Sequence, residues 1–466
     1  MPKKTKVANK PESAMLQAPR SAGELSRVPA ASLPVTYPIE TLVPQVRLQT
    51  PAVGQRATRS DGRLHGLGQT RYIDDLAFPG MLYAKIKRAG IAAARIRSID
   101  TSEAEAMPGV LAVLTGREIP VNSFGPSLQD QPVLADDRVF HAGDGVAAVA
   151  ALTEQIAAAA IEKIKVDYEP LPAVFDPLRA LQEDAPKVHA PASNIYASKV
   201  IRKGDVDAAF AGADRIFEAQ YRTQMVEHVP LEPHAAIAVW DANGRVTIHS
   251  TLGRISLGRT DVSRTLKLPI NRVRIVATIV GGNFGGKNEI TQEPVLALLS
   301  KKTGRPVKGV FTRGEEFTSS TTRHPFVMDY KTGVSKEGRI VARKVRLVLD
   351  GGAYCSWSET TLGKACILSA GPYRIDNLHV EAYVVYTNKT MTGAMRGFGA
   401  PQVCFAYESQ MDEIAEALHM DPLEIRLLNA FEEGAASPTG QVLHSVVLKD
   451  SLLKAAQRFG WKEPRS

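Results

Sequence analysis

The chain has 466 residues, 44% hydrophobic and 23% charged, so it is large enough to bury the cores of two or three domains. Half of its net charge of +8 lies in the first thirty residues, and the sequence has no stripe of basic residues interleaved with aromatics that would indicate a nucleic-acid partner. The sequence has no apolar run of about 18 residues that would predict a membrane span, and its N-terminus carries no export signal. We therefore expect a cytoplasmic protein.

The predicted elements fall into four parts along the chain. Residues 1–54 are rich in Lys, Ala, Pro and Ser, which predicts an extended or disordered basic arm. Residues 55–182 alternate short strands with short helices, which is typical of a compact mixed domain. Residues 183–203 have few apolar positions and are predicted to be a linker. Residues 204–466 form a larger domain with a hairpin, further strands and a long amphipathic helix that begins near Pro401.

The most informative motif is a glycine loop, Gly-Gly-Asn-Phe-Gly-Gly-Lys, at residues 281–287. It follows a β-branched run at 273–280 that predicts a strand, and it precedes a predicted helix at 291–300. Glycines allow positive φ and let a ligand approach the backbone, and free N–H groups before a helix favour an anion. The loop therefore predicts a site for an anionic or oxo-rich ligand, with Phe284 as a wall against a planar group.

Two other interpretations of this loop are weaker. Gly281, Gly286 and Lys287 match a nucleotide-binding P-loop, but Asn288 stands where that motif needs a hydroxyl group for Mg²⁺. The glycines could also serve only a tight strand-to-helix turn. The large aromatic side chain of Phe284 argues against that interpretation.

Several polar groups could suggest a metal site or a catalytic carboxylate. The three cysteines lack CxxC spacing, so we predict neither a disulfide framework nor cluster ligands. Two histidines and two glutamates at 227–234 resemble a metal cluster, but the prolines among them favour a structural role. The adjacent carboxylates of Glu315 and Glu316, like those of Asp136 and Asp137, are expected to point apart and to be solvated. We therefore predict no side-chain metal ligand.

A second glycine motif at 395–402 repeats the logic of the first. It contains Arg396, Gly397 and Phe398, and it lies between a strand and the long helix. Alone it could be a simple turn with Arg396 paired to a carboxylate. Together the two loops predict two sides of one pocket for a large polar cofactor.

With both motifs in place, the sequence resembles the molybdenum-cofactor subunit of the xanthine dehydrogenase and aldehyde oxidase family, in the split form of nicotinate dehydrogenase-type enzymes. The matching segments occur in family order at 68–75, 98–102, 108–115, 166–172, 230–234, 281–287, 371–375, 386–388 and 396–402. The resemblance implies an α+β fold. It places an a/b hammerhead domain at 55–182 and the first molybdopterin-binding domain at 204–466.

The family cofactor is a molybdenum ion held by a molybdopterin, here implied in its cytosine dinucleotide form. The resemblance implies that the cofactor-binding residues are Gly282, Phe284, Gly285, Gly286, Arg396 and Gly397. It implies substrate contacts from Asn288, Lys364, Phe398 and Leu252. Purine-hydroxylating members carry a glutamate, an arginine and a glutamine where Asn288, Lys364 and Leu252 stand, which argues against xanthine as the substrate.

The family reaction also needs a glutamate as general base, in a Gly-x-Gly-Glu-like motif that this sequence lacks. We therefore expect no catalytic residue in this chain and a second molybdopterin subunit that carries the glutamate. Partner subunits with [2Fe-2S] clusters and FAD are implied as electron carriers. The predicted function is oxidation of an N-heteroaromatic compound or an aldehyde with water-derived oxygen. The alternatives are an aromatic acyl-CoA reductase subunit and a non-catalytic structural subunit.

Overall fold

The structure, a computed structural model, describes residues 56–189 and 193–462. It consists of two units, Met1–Leu67 and Gly68–Ser466. The first unit is described from residue 56 and contains one short helix, α1 (Gly62–Gly66). The predicted arm at 1–54 lies outside the described residues.

The described residues of the second unit form both helices and strands, as the predicted α+β fold requires. The helices are α2 (Ser102–Glu105), α3 (Glu154–Ile161), α4 (Pro177–Ala180), α5 (Val206–Ala211), α6 (Ile255–Thr265), α7 (Glu293–Thr303), α8 (Arg313–Ser319), α9 (Ser358–Leu368), α10 (Ala400–Ala417), α11 (Pro422–Asn429) and α12 (Leu448–Phe459). The strands are β1 (Leu82–Arg88), β2 (Ala94–Asp100), β3 (Val110–Thr115), β4 (Arg138–Val139), β5 (Gly145–Ala151), β6 (Lys165–Pro170), β7 (Ile195–Lys203), β8 (Arg215–Arg222), β9 (Val226–Glu227), β10 (Ala235–Trp240), β11 (Val246–Ser250), β12 (Val273–Ala277), β13 (Val307–Val310), β14 (Thr322–Arg323), β15 (Phe326–Val334), β16 (Ile340–Asp350) and β17 (Leu378–Val385). Among these described helices, none is long and apolar enough to cross a membrane.

A seven-stranded sheet joins the two predicted domains. Its strand order is β12-β11-β10-β13-β1-β5-β3, so three strands come from the 55–182 segment and four from the 204–466 segment. The junction is the parallel pair of β1 and β13, with Leu82 opposite Val307. Helix α7 packs on this sheet through a continuously buried stretch that contains Val295, Leu296 and Leu299. The two segments therefore share one sheet and one core.

A five-stranded sheet, in the order β7-β17-β16-β15-β8, forms the second core. Helices α9 and α10 bury their apolar residues against it, including Leu362, Met411 and Ile414. Its edge strand β7 lies within the predicted linker at 183–203, and it pairs antiparallel with β17 from Ile195 to Lys203. The second half of that segment is therefore an ordered sheet edge. Its half-exposed pattern explains why few apolar positions mark it in the sequence.

Both glycine loops lie where a strand gives way to a helix. The first spans the gap between β12, which ends at Ala277, and α7, which begins at Glu293. The second leads into α10, whose N-cap is Gly399 with φ of 85°. A left-handed N-cap followed by proline sets the start of the long helix one residue before Pro401, close to the prediction.

Candidate functional site

The two predicted glycine loops meet in the structure. The backbone N–H of Arg396 donates a hydrogen bond to the carbonyl oxygen of Phe284, with a distance of 2.9 Å. Gly285 has φ of 109°, and a Cβ atom placed on it would lie 2.5 Å from the carbonyl oxygen of Ala394. Because only glycine fits this contact, the sequence of the first loop is matched to the backbone of the second.

His228 supports both loops. Its Nε2 donates to the carbonyl oxygen of Ala394 at 2.8 Å, and the residue is 8% exposed. A Cβ atom on Gly286 would lie 3.0 Å from Cγ of the same imidazole ring. Gly286 is itself buried, so its missing side chain makes room for His228 underneath the loop.

An aromatic residue projects from each loop in the same unusual backbone conformation. Phe284 has φ of 52° and Phe398 has φ of 46°. A left-handed conformation is rare for bulky residues and persists where the surroundings impose it. Phe284 is 50% exposed, which leaves an aromatic face open beside the loop backbone.

Asn283 accepts hydrogen bonds from several of the backbone N–H groups that the sequence predicts for an anion. Its side-chain Oδ1 accepts from Gly285 N at 2.9 Å and from Lys287 N at 3.2 Å, and its carbonyl oxygen accepts from Gly286 N at 2.8 Å. Within residues 56–189 and 193–462, no group accepts from the N–H of Gly282, Phe284 or Gly397. The backbone donors available to a ligand are therefore those of Gly282 and Phe284 in the first loop and of Gly397 in the second loop.

Lys287 is a buried structural residue and not a phosphate ligand. Its side chain has no exposed surface, and Nζ donates to the carbonyl oxygen of Glu232 at 2.7 Å and to Oε2 at 3.2 Å. The same carboxylate accepts from Gly281 N at 2.7 Å. Burial lowers the pKa of Lys287, while the charge of Glu232 opposes that shift. This pair anchors the loop to the 230–234 segment and removes the lysine that a P-loop would need.

Glu315 and Glu316 are both paired, so the prediction that they are solvated was wrong. Glu316 is fully buried and lies 2.9 Å from Nδ1 of His234, whose Nε2 donates to Gly286 O at 3.2 Å. Burial would raise the pKa of Glu316, but the hydrogen bonds and charge of His234 outweigh it and lower the pKa. Glu315 pairs with Arg88 at 3.1 Å. Residues distant in sequence supply both partners, which is why sequence reasoning missed them.

The predicted substrate residues divide into two groups. Lys364, on α9, lies with Nζ 5.1 Å from the ring centroid of Phe398, and no carboxylate among the described residues pairs with it. A Cβ on Gly399 would lie 2.8 Å from Ala365 Cβ, so the second loop rests directly on α9. Leu252, by contrast, is 3% exposed and belongs to the core of the seven-stranded sheet. The structure does not place Leu252 at the open face, because its apolar side chain packs inward.

Asn288 and Glu289 end the first loop. Asn288 is half-buried, next to Gly253, whose backbone N–H donates to Lys287 O at 2.7 Å. Glu289 is 6% exposed and accepts a hydrogen bond from Ser356. Burial raises the pKa of Glu289 to about 7. Glu289 was not predicted from the sequence, although a carboxylate just before the apolar helix α7 could have indicated a buried polar residue.

The loops fit a planar, polar and anionic group. Among the described residues, they offer unpaired N–H groups at Gly282, Phe284 and Gly397, an open aromatic face, and Arg396, whose side chain is exposed. No group of His, Cys, Asp and Glu side chains within the described ranges could hold a metal ion.

Two protein-family models match the chain. A molybdopterin cofactor-binding domain matches residues 188–430. An aldehyde oxidase and xanthine dehydrogenase a/b hammerhead domain matches residues 67–172. The predicted family and the predicted α+β fold with these two domain types are confirmed.

Individual relatives agree with these matches. The chain is 41% identical over 408 residues to the nicotinate dehydrogenase large molybdopterin subunit of Eubacterium barkeri, covering 87% of this chain and 96% of that one. It is 35% identical to the xanthine dehydrogenase molybdenum-binding subunit of Escherichia coli, covering 86% of this chain and 55% of that one. An aldehyde oxidoreductase structure from Desulfovibrio gigas superimposes with a TM-score of 0.84 at 32% identity, covering 89% of this chain and 48% of that one.

The chain thus spans nearly all of one relative but about half the length of the other two. Similarity runs through both domain models, and the segment at 188–430 includes both glycine loops. These relatives are named dehydrogenases and oxidoreductases. The chain belongs to the molybdopterin-binding family of xanthine dehydrogenase and aldehyde oxidase-type oxidoreductases.

Proposed function

We propose that this chain is the large molybdopterin-binding subunit of a split molybdenum hydroxylase. The observation that carries the proposal is the hydrogen bond from Arg396 N to Phe284 O, because it joins two glycine loops into one ligand-facing surface. The enzyme would oxidise an N-heteroaromatic compound or an aldehyde, and its partner subunits would complete the site. We also propose the domain boundaries predicted from the sequence, 55–182 and 204–466, and a cytoplasmic location.

The cofactor would lie against the backbone of both loops. Gly282, Phe284 and Gly285 would contact it from the first loop, and Arg396 and Gly397 from the second. The buried Gly286 would act indirectly, by letting His228 support the loop. When bound, the molybdenum cofactor supplies the two-electron oxidation and an oxygen derived from water. The backbone donors of this chain would orient that group, and Phe284 would lie beside it.

A partner subunit would supply the catalytic glutamate. The carboxylates next to the first loop already have structural roles: Glu232 pairs with Lys287, and Glu316 pairs with His234. Glu289 is buried behind Asn288 and bonds to Ser356. A general base must reach the proton it removes, so a residue from outside this chain suits the role better. The 55% coverage of the Escherichia coli relative leaves length for such a segment elsewhere.

The remaining partners and cofactors follow from the same interpretation. We propose a cytosine dinucleotide form of the molybdopterin, and [2Fe-2S] and FAD subunits that carry electrons away from the site. The similarity to a protein named as one subunit of nicotinate dehydrogenase supports a multi-subunit enzyme.

The substrate would be a small aromatic compound, and its polar group would meet Lys364. The Lys364 ammonium lies 5.1 Å from the Phe398 ring, so an aromatic ring near Phe398 would bring a carboxylate within reach of a cation. Asn288 would form a neutral edge of the pocket, where a purine would need a carboxylate. Nicotinate, named for one relative, combines an N-heteroaromatic ring with a carboxylate and is therefore the first compound to test.

The direct test is purification of the assembled complex through a tag on this chain, from its native host. We expect molybdenum and pterin in equal amounts with the chain, and a copurifying subunit with a second molybdopterin-binding domain and a Gly-x-Gly-Glu-like motif. Absence of molybdenum and pterin from an intact complex would overturn the proposal and favour a structural subunit. Reduction of an aromatic acyl-CoA without hydroxylation of nicotinate would favour the reductive alternative.

A further inference from the structure

Glu289 is a buried carboxyl group for which the proposed function has no use. It directly follows Asn288 at the end of the first glycine loop and is 6% exposed. Oε1 accepts a hydrogen bond from the hydroxyl group of Ser356, 67 residues away in sequence. Oε2 is also buried, and no donor or acceptor in the described part of the chain contacts it. A buried polar group with so few partners is costly, so its presence at the end of the loop calls for a role.

Ser356 is held in place as tightly as its partner. It is 2% exposed and has φ of 45°, a left-handed conformation that a non-glycine residue adopts only under constraint. A Cβ atom on Gly393 would lie 2.6 Å from Ser356 Oγ, so the chain that enters the second loop passes closely over the hydroxyl group. The neighbouring residues lead directly into α9, where Ser358 N donates to Cys355 O at 3.0 Å.

The hydrogen bond therefore connects three parts of the proposed site. Glu289 belongs to the end of the first loop, and Ser356 to the turn before α9. Helix α9 carries Lys364 and supports the second loop, where a Cβ on Gly399 would lie 3.0 Å from Thr361 O. The bond thus links the backbone next to Asn288 to the turn that leads into the helix of Lys364.

We propose that Glu289 and Ser356 form a positioning pair that sets the separation of Asn288 and Lys364 across the substrate pocket. The inference rests on the proposed function, since it assigns a purpose to the two substrate-facing residues. Neither member of the pair touches the substrate in this scheme. Glu289 acts through the backbone that precedes it, and Ser356 acts through the backbone that follows it.

The electrostatic surroundings favour an uncharged Glu289. Burial is the largest effect on its pKa, and Asp261 on α6 and Asp130 in the loop before β4 add negative charge, while the Ser356 hydroxyl opposes the shift. Burial raises the pKa of Asp261 to about 6, and Arg264 partly offsets that increase. Burial also raises the pKa of the Cys355 thiol to about 12, so this neighbour stays neutral. A neutral carboxyl group can keep the bond to Ser356 without placing another charge among these acids.

The experiment compares Glu289→Ala, Glu289→Gln and Ser356→Ala in the purified complex. The matched control is Glu337→Ala, since Glu337 accepts a 2.7 Å hydrogen bond from Ser335 in an exposed turn. Hydrogen exchange is followed in peptides that cover 283–290 and 358–366, between pH 5 and pH 8. Kinetic constants are measured with nicotinate as the probe and a dye as electron acceptor, and molybdenum content is measured in parallel.

We expect Glu289→Ala and Ser356→Ala to speed exchange in both peptides and to raise KM for nicotinate more than they lower kcat. The loss in kcat/KM should reach up to about 100-fold, which is the scale of a misplacement by about 1 Å. Glu289→Gln should keep slow exchange and near-normal KM, and should remove the pH dependence seen in the wild-type complex. Glu337→Ala should change none of these quantities.

The inference is overturned if only one of the two peptides responds, or if Glu289→Gln behaves like Glu289→Ala at every pH. If Glu289→Ala does not assemble, Ser356→Ala decides, because it removes the same bond while leaving the carboxyl group. A wild-type complex without molybdenum or nicotinate turnover would count against the proposed function. In that case the exchange measurements still decide whether the pair couples the loop to α9.

Discussion

Substitution of Gly285 by alanine should separate the two glycine loops and release the cofactor. The new Cβ would lie 2.5 Å from Ala394 O, 2.9 Å from Ala394 C and 3.1 Å from Met395 Cα, all backbone atoms of the second loop. Backbone atoms cannot rotate away as a flexible side chain can. The hydrogen bond between Arg396 N and Phe284 O, at the same junction, must then lengthen.

The size of this effect follows from two contributions. A residue with a Cβ held at φ of 109° is strained, by about 1–3 kcal/mol. Overpacking of a tight contact adds about 1–3 kcal/mol. The sum, about 2–6 kcal/mol, is comparable with much of the free energy of unfolding of an ordinary domain, about 5–15 kcal/mol. We expect local opening of the loops to relieve most of it, with the fold retained.

Gly304→Ala is the matched control. Gly304 also has a left-handed φ, of 65°, at the C-terminal end of α7, but a Cβ there would meet no atom within 4 Å. It should cost about 1–2 kcal/mol of conformational strain and leave the loops intact. The assay is molybdenum and pterin content per chain after tag purification, together with urea unfolding. Full cofactor content in Gly285→Ala, or equal loss in both variants, would refute the proposed contact between the loops and the cofactor.

Three further predictions concern charged residues. Lys287→Met should destabilise the chain by about 3–5 kcal/mol in urea unfolding, because it leaves the largely buried Glu232 carboxylate without its cationic partner. Lys331→Met, in an exposed pair, should cost at most about 1 kcal/mol, and similar losses in both variants would contradict the anchoring role. Glu289 has a pKa of about 7 when folded, above its ordinary value of 4.5, so its contribution to stability is complete below pH 4.5 and declines as pH rises to about 7. The decline amounts to at most about 3 kcal/mol, and it should be absent from the unfolding curves of Glu289→Gln; an unchanged pH dependence would contradict it. Lys364→Met should raise KM for nicotinate by about 10-fold or more, because the substrate carboxylate loses its cationic partner. KM for an uncharged ring such as quinoline should stay nearly unchanged. Steady-state kinetics would test both, and equal effects on the two substrates would exclude a carboxylate contact.

The local features of the site could be predicted from short segments of the sequence. Both glycine loops could be predicted, with Phe284 and Phe398 as their aromatic residues, because glycine spacing and strand–helix punctuation are properties of short segments. The family resemblance also led to the correct domain types and their order. The start of α10 next to Pro401 was equally readable, since proline in the first turn and a glycine N-cap are local signals.

The way in which these segments are held together depends on contacts between distant parts of the chain. The sheet that merges the two predicted domains depends on the pairing of β1 with β13, which are more than two hundred residues apart in sequence. The burial of Lys287, the pairing of Glu316 with His234 and the link from Glu289 to Ser356 arise in the same way. A charged side chain is predicted to be solvated when its partner lies far away in the sequence, because a local pattern does not contain that partner. The packing of the two cores determines which distant residues become partners. The same packing places the two glycine loops side by side, where Arg396 N donates a hydrogen bond to Phe284 O.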